Sequence, residues 1–406
     1  MRVRYNKNQK WRISEHDYVL FTLYSAPLID IINSFLGIAQ VIRTVLIVIN
    51  IWLISRHIPK KWKRDVKALE FFCLFVVLQF SIILLFANFE SVNVNLGFNL
   101  KIILFLSETI LLFIAVDRRL INKSSIDSFW KYSCLVVPAL ILIANVIKIN
   151  IRGTAGWFVS TNAMSIVLTI QFVICLYLID ESKKMWLLLV LQMLAVLILG
   201  TKSPIVFIVL IVVACILFYS KHRIQLIIIS FLGGICVYYV LVHYFSNQLD
   251  AILSYQQYHM TAALDRGDFF SYLFSGRNNL LYTALAILWE KSLLIIAVLL
   301  GVSPYVLFSL NGMMNNSSIR GIELDPAEIL LSDGILFFLW IYSYYIRMIK
   351  IKLYDKNKNF ILNCLIICLL LYSILGGHGI TEAISATYSS IVIATKYVVF
   401  AEENNE

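Results

Sequence analysis

Lys202 and Arg277 are basic residues whose side chains could bind a phosphate if the fold brings them together. Lys202 lies in Gly200-Thr201-Lys202-Ser203, and Arg277 ends the segment Ser275-Gly276-Arg277. Arginine matches phosphate geometry with two parallel hydrogen bonds, and lysine adds a compact positive charge. We therefore expect these two residues to bind a diphosphate. The alternative for Lys202 is an interfacial lysine that extends from apolar surroundings to water.

Two acids follow a third basic residue, Arg320, in the segment Arg320-Gly321-Ile322-Glu323-Leu324-Asp325-Pro326. A carboxylate near a leaving diphosphate can deprotonate an incoming hydroxyl group, so Glu323 is the candidate catalytic base. Asp325 directly precedes Pro326 and suits the N-cap of a helix, which is a structural role. Glu323 and Asp325 also resemble a minimal metal-binding pair. Two acids are weak evidence for a metal, however, and we expect neither a metal nor a cofactor.

Four further polar residues are candidates for the same site. His378, in Gly376-Gly377-His378-Gly379, could act as a base near neutral pH or could simply occupy a turn. Asp30 and Arg43 lie near the ends of two consecutive apolar segments, where a charged group is usually paired or functional. They could pair and fix a hairpin, or Arg43 could help to bind the diphosphate. Arg152 is the fourth candidate.

Motifs of several other chemistries are missing from the sequence. Gly200-Thr201-Lys202-Ser203 resembles the end of a nucleotide-binding P-loop, but position 195 is alanine where that loop requires glycine. None of the 6 histidines is followed by glutamate, and no Gly-x-Ser-x-Gly motif occurs. These observations argue against ATP-driven transport and against metalloproteolysis.

The composition indicates that membrane helices position these residues. Of the 406 residues, 60% are hydrophobic and 14% are charged, and the mean hydropathy is +0.83. Soluble chains carry about 25% charged residues, whereas a membrane span needs about 20 mostly apolar residues. The composition therefore excludes a soluble enzyme, a nucleic-acid-binding protein and a disordered scaffold, and it suffices for about twelve spans.

The apolar segments are expected to be helices, because backbone groups in lipid must be satisfied within a segment and strand-like alternation is absent. We therefore predict an all-α polytopic membrane protein, with residues 1–406 forming a single domain. The expected spans are 17–36, 38–54, 68–88, 98–116, 132–151, 163–180, 185–200, 204–219, 224–243, 327–346, 359–375 and 383–400.

The distribution of Lys and Arg predicts the orientation in the membrane. Every second loop is basic, and 24 of the 34 Lys and Arg residues lie in loops placed in the cytoplasm. The net charge of +10 therefore mostly reflects topology, and both termini are expected to be cytoplasmic.

Residues 244–326 then form a large loop on the outer side between spans nine and ten. Leu293–Leu310 is apolar enough to span, but Pro304 and the break at Glu290-Lys291 favour a re-entrant or interfacial segment.

Short motifs of this chain resemble, in the same order, those of the Wzy-type polymerases of O-antigen and capsular polysaccharides, which belong with the O-antigen ligases. The long outer loop between the ninth and tenth spans adds to the resemblance. The matching segments are Ala26-Pro27-Leu28-Ile29-Asp30 with Gly37-Ile38 and Arg43, Gly156 to Asn162, Leu199 to Ser203, Ser275-Gly276-Arg277 with Trp289, Leu300 to Pro304, Glu323 to Gly334, and Gly377-His378-Gly379.

The resemblance implies a membrane glycosyltransferase of the GT-C kind in the bacterial inner membrane, with about twelve spans. It implies that a growing undecaprenyl-diphosphate-linked glycan is transferred onto the next lipid-linked repeat unit at the periplasmic face, during O-antigen, lipopolysaccharide or capsule biosynthesis. The family's diphosphate-binding basic residues correspond to Arg277 and Lys202. Glu323 corresponds to a histidine of the ligases, which favours a polymerase. A protein that regulates chain length is an implied partner.

Two alternatives remain open from the sequence. An O-antigen ligase would share the donor and most of the motifs. A flippase or another transporter of lipid-linked oligosaccharides would also have many spans and buried basic residues. Such transporters often consist of two matching halves with small loops, whereas this chain has unmatched halves and one long outer loop.

Overall fold

The computed structural model describes residues 14–404, except for 57, 87–88, 152, 183 and 315–320, and it describes only scattered positions between 219 and 276. Two candidate site residues, Arg152 and Arg320, lie outside the described residues, as does most of the expected ninth span. The helices are α1 (Glu15–Leu36), α2 (Ala39–Arg56), α3 (Lys63–Phe86), α4 (Phe89–Asp117), α5 (Lys123–Val146), α6 (Thr161–Tyr177), α7 (Lys184–Leu199), α8 (Lys202–Phe218), α9 (Arg277–Glu290), α10 (Leu294–Leu300), α11 (Pro304–Met314), α12 (Asp325–Asp333), α13 (Ile335–Lys350), α14 (Lys356–Leu375) and α15 (Ala383–Glu403).

The regular structure of the described residues is entirely helical, and the chain is a helical, multi-pass membrane protein. Within this part of the chain, 6 helices are long and apolar enough to cross a membrane, namely α1, α3, α4, α5, α14 and α15. The bent pair α9 and α10 would make a total of 7 if it formed one span, and α6, α7 and α8 are apolar but shorter. The expected helical membrane fold is confirmed, whereas the number of twelve spans and the GT-C fold stay predictions.

Two helices form the centre of the bundle, because they are buried on all sides. In α6 every residue from Ala163 to Tyr177 is buried, and in α15 every residue from Ala383 to Val399 is buried. A helix that is apolar and buried all round belongs to the interior. The outer helices instead expose large apolar side chains, among them Phe71 on α3. An apolar outer surface is what a protein surrounded by lipid requires.

Ion pairs around Glu181 connect loops at one end of the bundle. We call these residues the Glu181 network (Glu181, Lys123, Lys131 and Lys358). The carboxylate of Glu181 lies 2.8 Å from the amine of Lys123 and 3.2 Å from that of Lys358. Burial opposes ionisation, but hydrogen bonds and positive charge from Lys123 and Lys358 hold the pKa of Glu181 below its ordinary value. The network thus brings together three loops that the Lys and Arg distribution places on one side of the membrane.

Helices are interrupted in the region that was expected to hold a re-entrant segment. α9 and α10 meet at an angle of 110°, and α10 ends at Leu300 before Pro304 begins α11. Proline suits the first turn of a helix because its missing N–H would have no partner there.

The expected span 327–346 is also not one continuous helix. Gly334, with a φ of 84°, separates α12 from α13, which corrects that expectation.

Candidate functional site

Charged residues gather at the end of the bundle opposite the Glu181 network. α7 and α14 both begin near that network and end near this gathering, so the connectivity places the two groups at opposite ends. We call the second group the polar cluster. Its members are Lys101, Lys202, Arg277, Glu323, Glu328, His378 and Glu382.

Arg277 is the first residue of α9 and is nearly buried. Its Nε lies 3.4 Å from Oε2 of Glu323, and the side chains of the two residues are 10% and 36% exposed. This distance makes an ion pair, but the Nε atom has no hydrogen-bond partner among the described residues. A buried N–H donor without an acceptor costs free energy, which a bound anion could recover. Arg277 therefore has an unused hydrogen-bond donor as well as a positive charge.

Lys202 is the first residue of α8 and is partly buried near Arg277. The preceding Gly200 has a φ of 70°, and the Thr201 hydroxyl lies 2.5 Å from that of Ser165 on α6, which fixes the junction between α7 and α8. Burial and the positive charge of Arg277 both lower the pKa of Lys202. Two cations that repel each other at a partly buried position form a site suited to an anion.

Glu323 adopts a backbone conformation that is rare for residues with a side chain, with a φ of 62°. Its N–H donates a hydrogen bond of 2.8 Å to Oε1 of Glu328. Gly377 packs directly on its carbonyl, because a Cβ added at that glycine would lie 2.0 Å from the Glu323 oxygen. These contacts fix the backbone of Glu323, while its carboxylate remains partly accessible and faces Arg277.

Glu328 supports Glu323 from the short helix α12, which lies outside the 6 candidate spans. Burial raises the pKa of Glu328 to about 7, although the hydrogen bond from the Glu323 N–H favours the charged form. Glu328 is therefore a buried acid that titrates close to neutrality. Its carboxylate holds the backbone of Glu323 through that hydrogen bond.

The N-cap role expected for Asp325 is wrong. Leu324 occupies the N-cap position of α12, and no side chain caps it. The carboxylate of Asp325 instead accepts N–H bonds from His378 at 2.6 Å and from Ile380 at 2.7 Å, together with the hydroxyl groups of Ser373 and Thr381. Asp325 is fully buried and anchors the glycine-rich turn between α14 and α15.

His378 lies in that turn with a φ of 65°, and its side chain faces Glu382. Its Nδ1 is 3.9 Å from Oε1 of Glu382, whose Oε2 is 3.6 Å from the amine of Lys101 on α4. Lys101 and Glu382 were not predicted from the sequence as site residues. The only signal for Lys101 was that it is one of the basic residues outside the loops placed in the cytoplasm.

Asp30 and Arg43 form an ion pair of 3.0 Å between α1 and α2. The other oxygen of Asp30 accepts the N–H of Val159 at 3.1 Å, so the carboxylate also ties the α1–α2 hairpin to the segment before α6. This is the hairpin-fixing role left open by the sequence. Among the described residues, Arg43 forms no hydrogen bond with Lys202 or Arg277, and diphosphate binding by Arg43 stays a prediction.

Comparison of the chain with protein-family models, with curated proteins and with solved structures finds no match. The geometry of the polar cluster is therefore the main indication of function. That geometry offers two neighbouring cations for an anion and, within ion-pair distance of one of them, a partly exposed carboxylate.

Proposed function

We propose that the protein is a membrane glycosyltransferase whose donor is a polyprenyl-diphosphate-linked glycan. The observation that carries the proposal is the arrangement of Arg277, which has an unused N–H donor, lies close to Lys202 and pairs with Glu323 at 3.4 Å. Arginine and lysine together match a diphosphate, and a carboxylate beside it can accept a proton. The resemblance of the sequence motifs to polysaccharide polymerases supports the same reaction.

In the proposed reaction, Lys202 and Arg277 bind the donor diphosphate. The negative charges of the diphosphate relieve the repulsion between the two cations and supply the acceptor that the Arg277 Nε lacks. Preorganised cations stabilise the charge that develops on the leaving group. Glu323 partly offsets the charge of Arg277 through their ion pair, and binding of the diphosphate would release it from that pair.

Glu323 then accepts the proton of the acceptor sugar hydroxyl. The acceptor oxygen forms a bond to the anomeric carbon of the donor as the bond from that carbon to the diphosphate oxygen breaks. The diphosphate leaves with the electron pair, held by Arg277 and Lys202. Attack from the side opposite the leaving group inverts the configuration at the anomeric carbon. No step in this scheme needs a metal ion or a cofactor.

We further propose that the reaction extends a polysaccharide at the periplasmic face of the bacterial inner membrane, with a lipid-linked repeat unit as acceptor. The basic loops of the Glu181 network would then face the cytoplasm, following the bias of Lys and Arg. A carboxylate at Glu323, where ligases of the resembling family have histidine, favours a polymerase over a ligase. A chain-length regulator remains an expected partner.

A transporter of lipid-linked oligosaccharides is the second candidate, and one observation favours it. Two helix interruptions, at Gly301-Val302-Ser303 and at Gly334, pack against each other. Interrupted helices of this kind are common at the substrate sites of transporters. The polar cluster favours the transferase, because transport of an intact oligosaccharide needs no catalytic base.

Deletion of the gene separates these functions when the surface glycan is examined on a gel. We expect a deletion strain to carry single repeat units with no longer polymer. Polymer stranded on the lipid carrier, with none at its final attachment site, would indicate a ligase. Accumulation of the lipid-linked unit on the cytoplasmic side would indicate a flippase, and either result would contradict the proposal.

A further inference from the structure

Two interrupted helices contact each other at their breaks. The N–H of Val302 donates to the carbonyl of Leu331 at 3.0 Å, and the N–H of Ser303 donates to that of Ser332 at 3.2 Å. The contact requires glycine on one side, since a Cβ at Gly301 would lie 2.3 Å from the Ser332 oxygen. We call this contact the helix crossing; it consists of residues 301–303 and 331–334.

Asp333 lies at the helix crossing and is 2% exposed. Neither of its carboxylate oxygens has a hydrogen-bond partner among the described residues. An ionised carboxylate in such surroundings lacks both water and donors, which makes the charged form very costly. Among the described residues, Asp333 is the one buried acid with both oxygens unpartnered, whereas Asp127 keeps an ion pair with Lys123 and Asp325 has four donors. Asp333 is therefore an exception that needs an explanation.

Among the described residues, the elements packed around the helix crossing supply no charge that could neutralise Asp333. The opposing break contributes Gly301, Val302 and Ser303, and α3 contributes Gln79, whose Nε2 donates to the Ser332 carbonyl at 3.2 Å. Asn99 of α4 in turn donates to Gln79 at 3.2 Å. The nearest acid on the helix of Asp333 is Glu328, and no charged group among the described residues acts on the carboxyl of Asp333.

We propose that Asp333 is a proton-binding site, held as the neutral carboxylic acid at the helix crossing and deprotonated when the two breaks separate. A metal cation is the less suitable occupant because it needs several oxygen ligands, and the crossing carbonyls of Leu331 and Ser332 already accept N–H groups. A proton needs no ligand set.

Proton release at Asp333 would affect the polar cluster through a short rigid connection. Asp333 is the last residue of α12. The same helix carries Glu328, whose carboxylate accepts a hydrogen bond from the N–H of Glu323. A charged Asp333 would favour separation of the breaks, because separation admits water. Movement of α12 would then displace Glu323. The proposal does not depend on glycosyl transfer and applies equally to a transporter.

Infrared spectroscopy of the purified full-length protein tests the protonation state directly. Compared with Asp333→Asn at neutral pH, the wild type should show one additional band of a protonated carboxyl group, and alkaline pH should remove it. Asp333→Glu, which keeps an acid, should retain a band at a shifted position. Absence of any difference between the wild type and Asp333→Asn would overturn the proposal.

Thermal unfolding across pH provides a second test. Burial holds the pKa of Asp333 above its ordinary value, so the folded protein keeps a proton that the unfolded chain releases. The wild type should therefore lose stability relative to Asp333→Asn as the pH rises above that ordinary value. Glu290→Gln, which removes an exposed acid, should show no such trend. A stability difference between the wild type and Asp333→Asn that stays constant at all pH values would contradict the proposal. Stabilisation of the wild type, but not of Asp333→Asn, by sodium chloride would also contradict it.

Discussion

The carboxylate of Asp325 holds together two segments that are 53 residues apart at His378. Each of its oxygens accepts one backbone N–H and one hydroxyl group. The glycine-rich turn that it anchors contains His378 and packs on the backbone of Glu323. One buried acid thereby links the candidate base to the end of α14.

Replacing Asp325 by asparagine should destabilise the protein. Either orientation of the amide places its NH₂ group against a backbone N–H, of His378 or of Ile380, so one buried donor loses its acceptor. The expected loss in the free energy of unfolding is about 1–3 kcal/mol, measured by denaturant unfolding in detergent.

Asp355→Asn is the matched control for this substitution. Asp355 caps α14 by accepting the N–H groups of Asn357 and Lys358, and asparagine is about as good an N-cap as aspartate. We expect almost no change in stability there. Equal losses for the two variants would show that the anchor at Asp325 contributes nothing beyond an ordinary cap.

Residue roles were only partly predictable from the sequence. Local spacing gave Asp325 a capping role, because the donors that bind it lie in a turn much later in the chain. Glu382 carries no local signal, and its importance follows only from its contacts with Lys101 and His378. Arg277 and Glu323 were selected from their chemistry, and the structure places them within ion-pair distance.

At the scale of the elements, the turn after α14 fixes the backbone position of Glu323. Gly377 has a φ of 62°, and its missing side chain leaves room for the Glu323 carbonyl. Gly37, at the end of α1, has a similar φ of 67°, but no atom of the described residues lies within 4 Å of the position of a Cβ there. A side chain at Gly37 therefore carries only the cost of backbone strain, whereas a side chain at Gly377 carries the cost of a steric clash as well.

Gly377→Ala should be much more harmful than Gly37→Ala. Both substitutions carry the cost of a left-handed backbone, about 1–2 kcal/mol, but the first must also displace the segment around Glu323. We expect Gly37→Ala to fold with a modestly lower melting temperature, and Gly377→Ala to unfold far earlier. Similar melting temperatures would contradict the close packing between the turn and Glu323.

The positions of helices were more predictable than their interruptions. Long apolar runs identified the described spans because lipid forces backbone groups to bond within a segment. Proline and a charged pair marked the breaks around α10. The break at Gly334 was missed, since a single glycine inside an apolar run is compatible with a continuous helix. The reason for it, contact with the opposing break at Gly301, lies outside the local sequence.

At the scale of the whole molecule, ion pairs join loops at one end of the bundle and the polar cluster lies at the other. The Glu181 network joins the starts of α5 and α14 to the loop before α7. The Lys and Arg pattern predicted that these loops lie on one side, and their spatial grouping agrees with it. The polar cluster could not be predicted as a unit, because its members come from five separate segments of the chain.

The Glu181 network predicts a pH dependence of stability. Because the pKa of Glu181 is held below its ordinary value, the network stabilises the folded state above that value and loses its effect as the pH falls. Thermal unfolding should show the wild type more stable than Glu181→Gln near neutral pH, with the difference shrinking in acid. A difference that grows as the pH falls would contradict the assigned ion pairs.

Measuring glycan chain length in strains that express single variants tests the central claim most directly. Arg277→Ala and Glu323→Gln should each abolish polymer at normal protein levels, since loss of a general base alone costs about 10²–10⁴ in rate. Arg118 and Glu15 form an ion pair of 2.6 Å at the opposite end of the bundle. Arg118→Ala and Glu15→Gln are therefore the matched controls, and each should leave the polymer unchanged. An unaltered chain-length distribution in Arg277→Ala and Glu323→Gln would contradict the account.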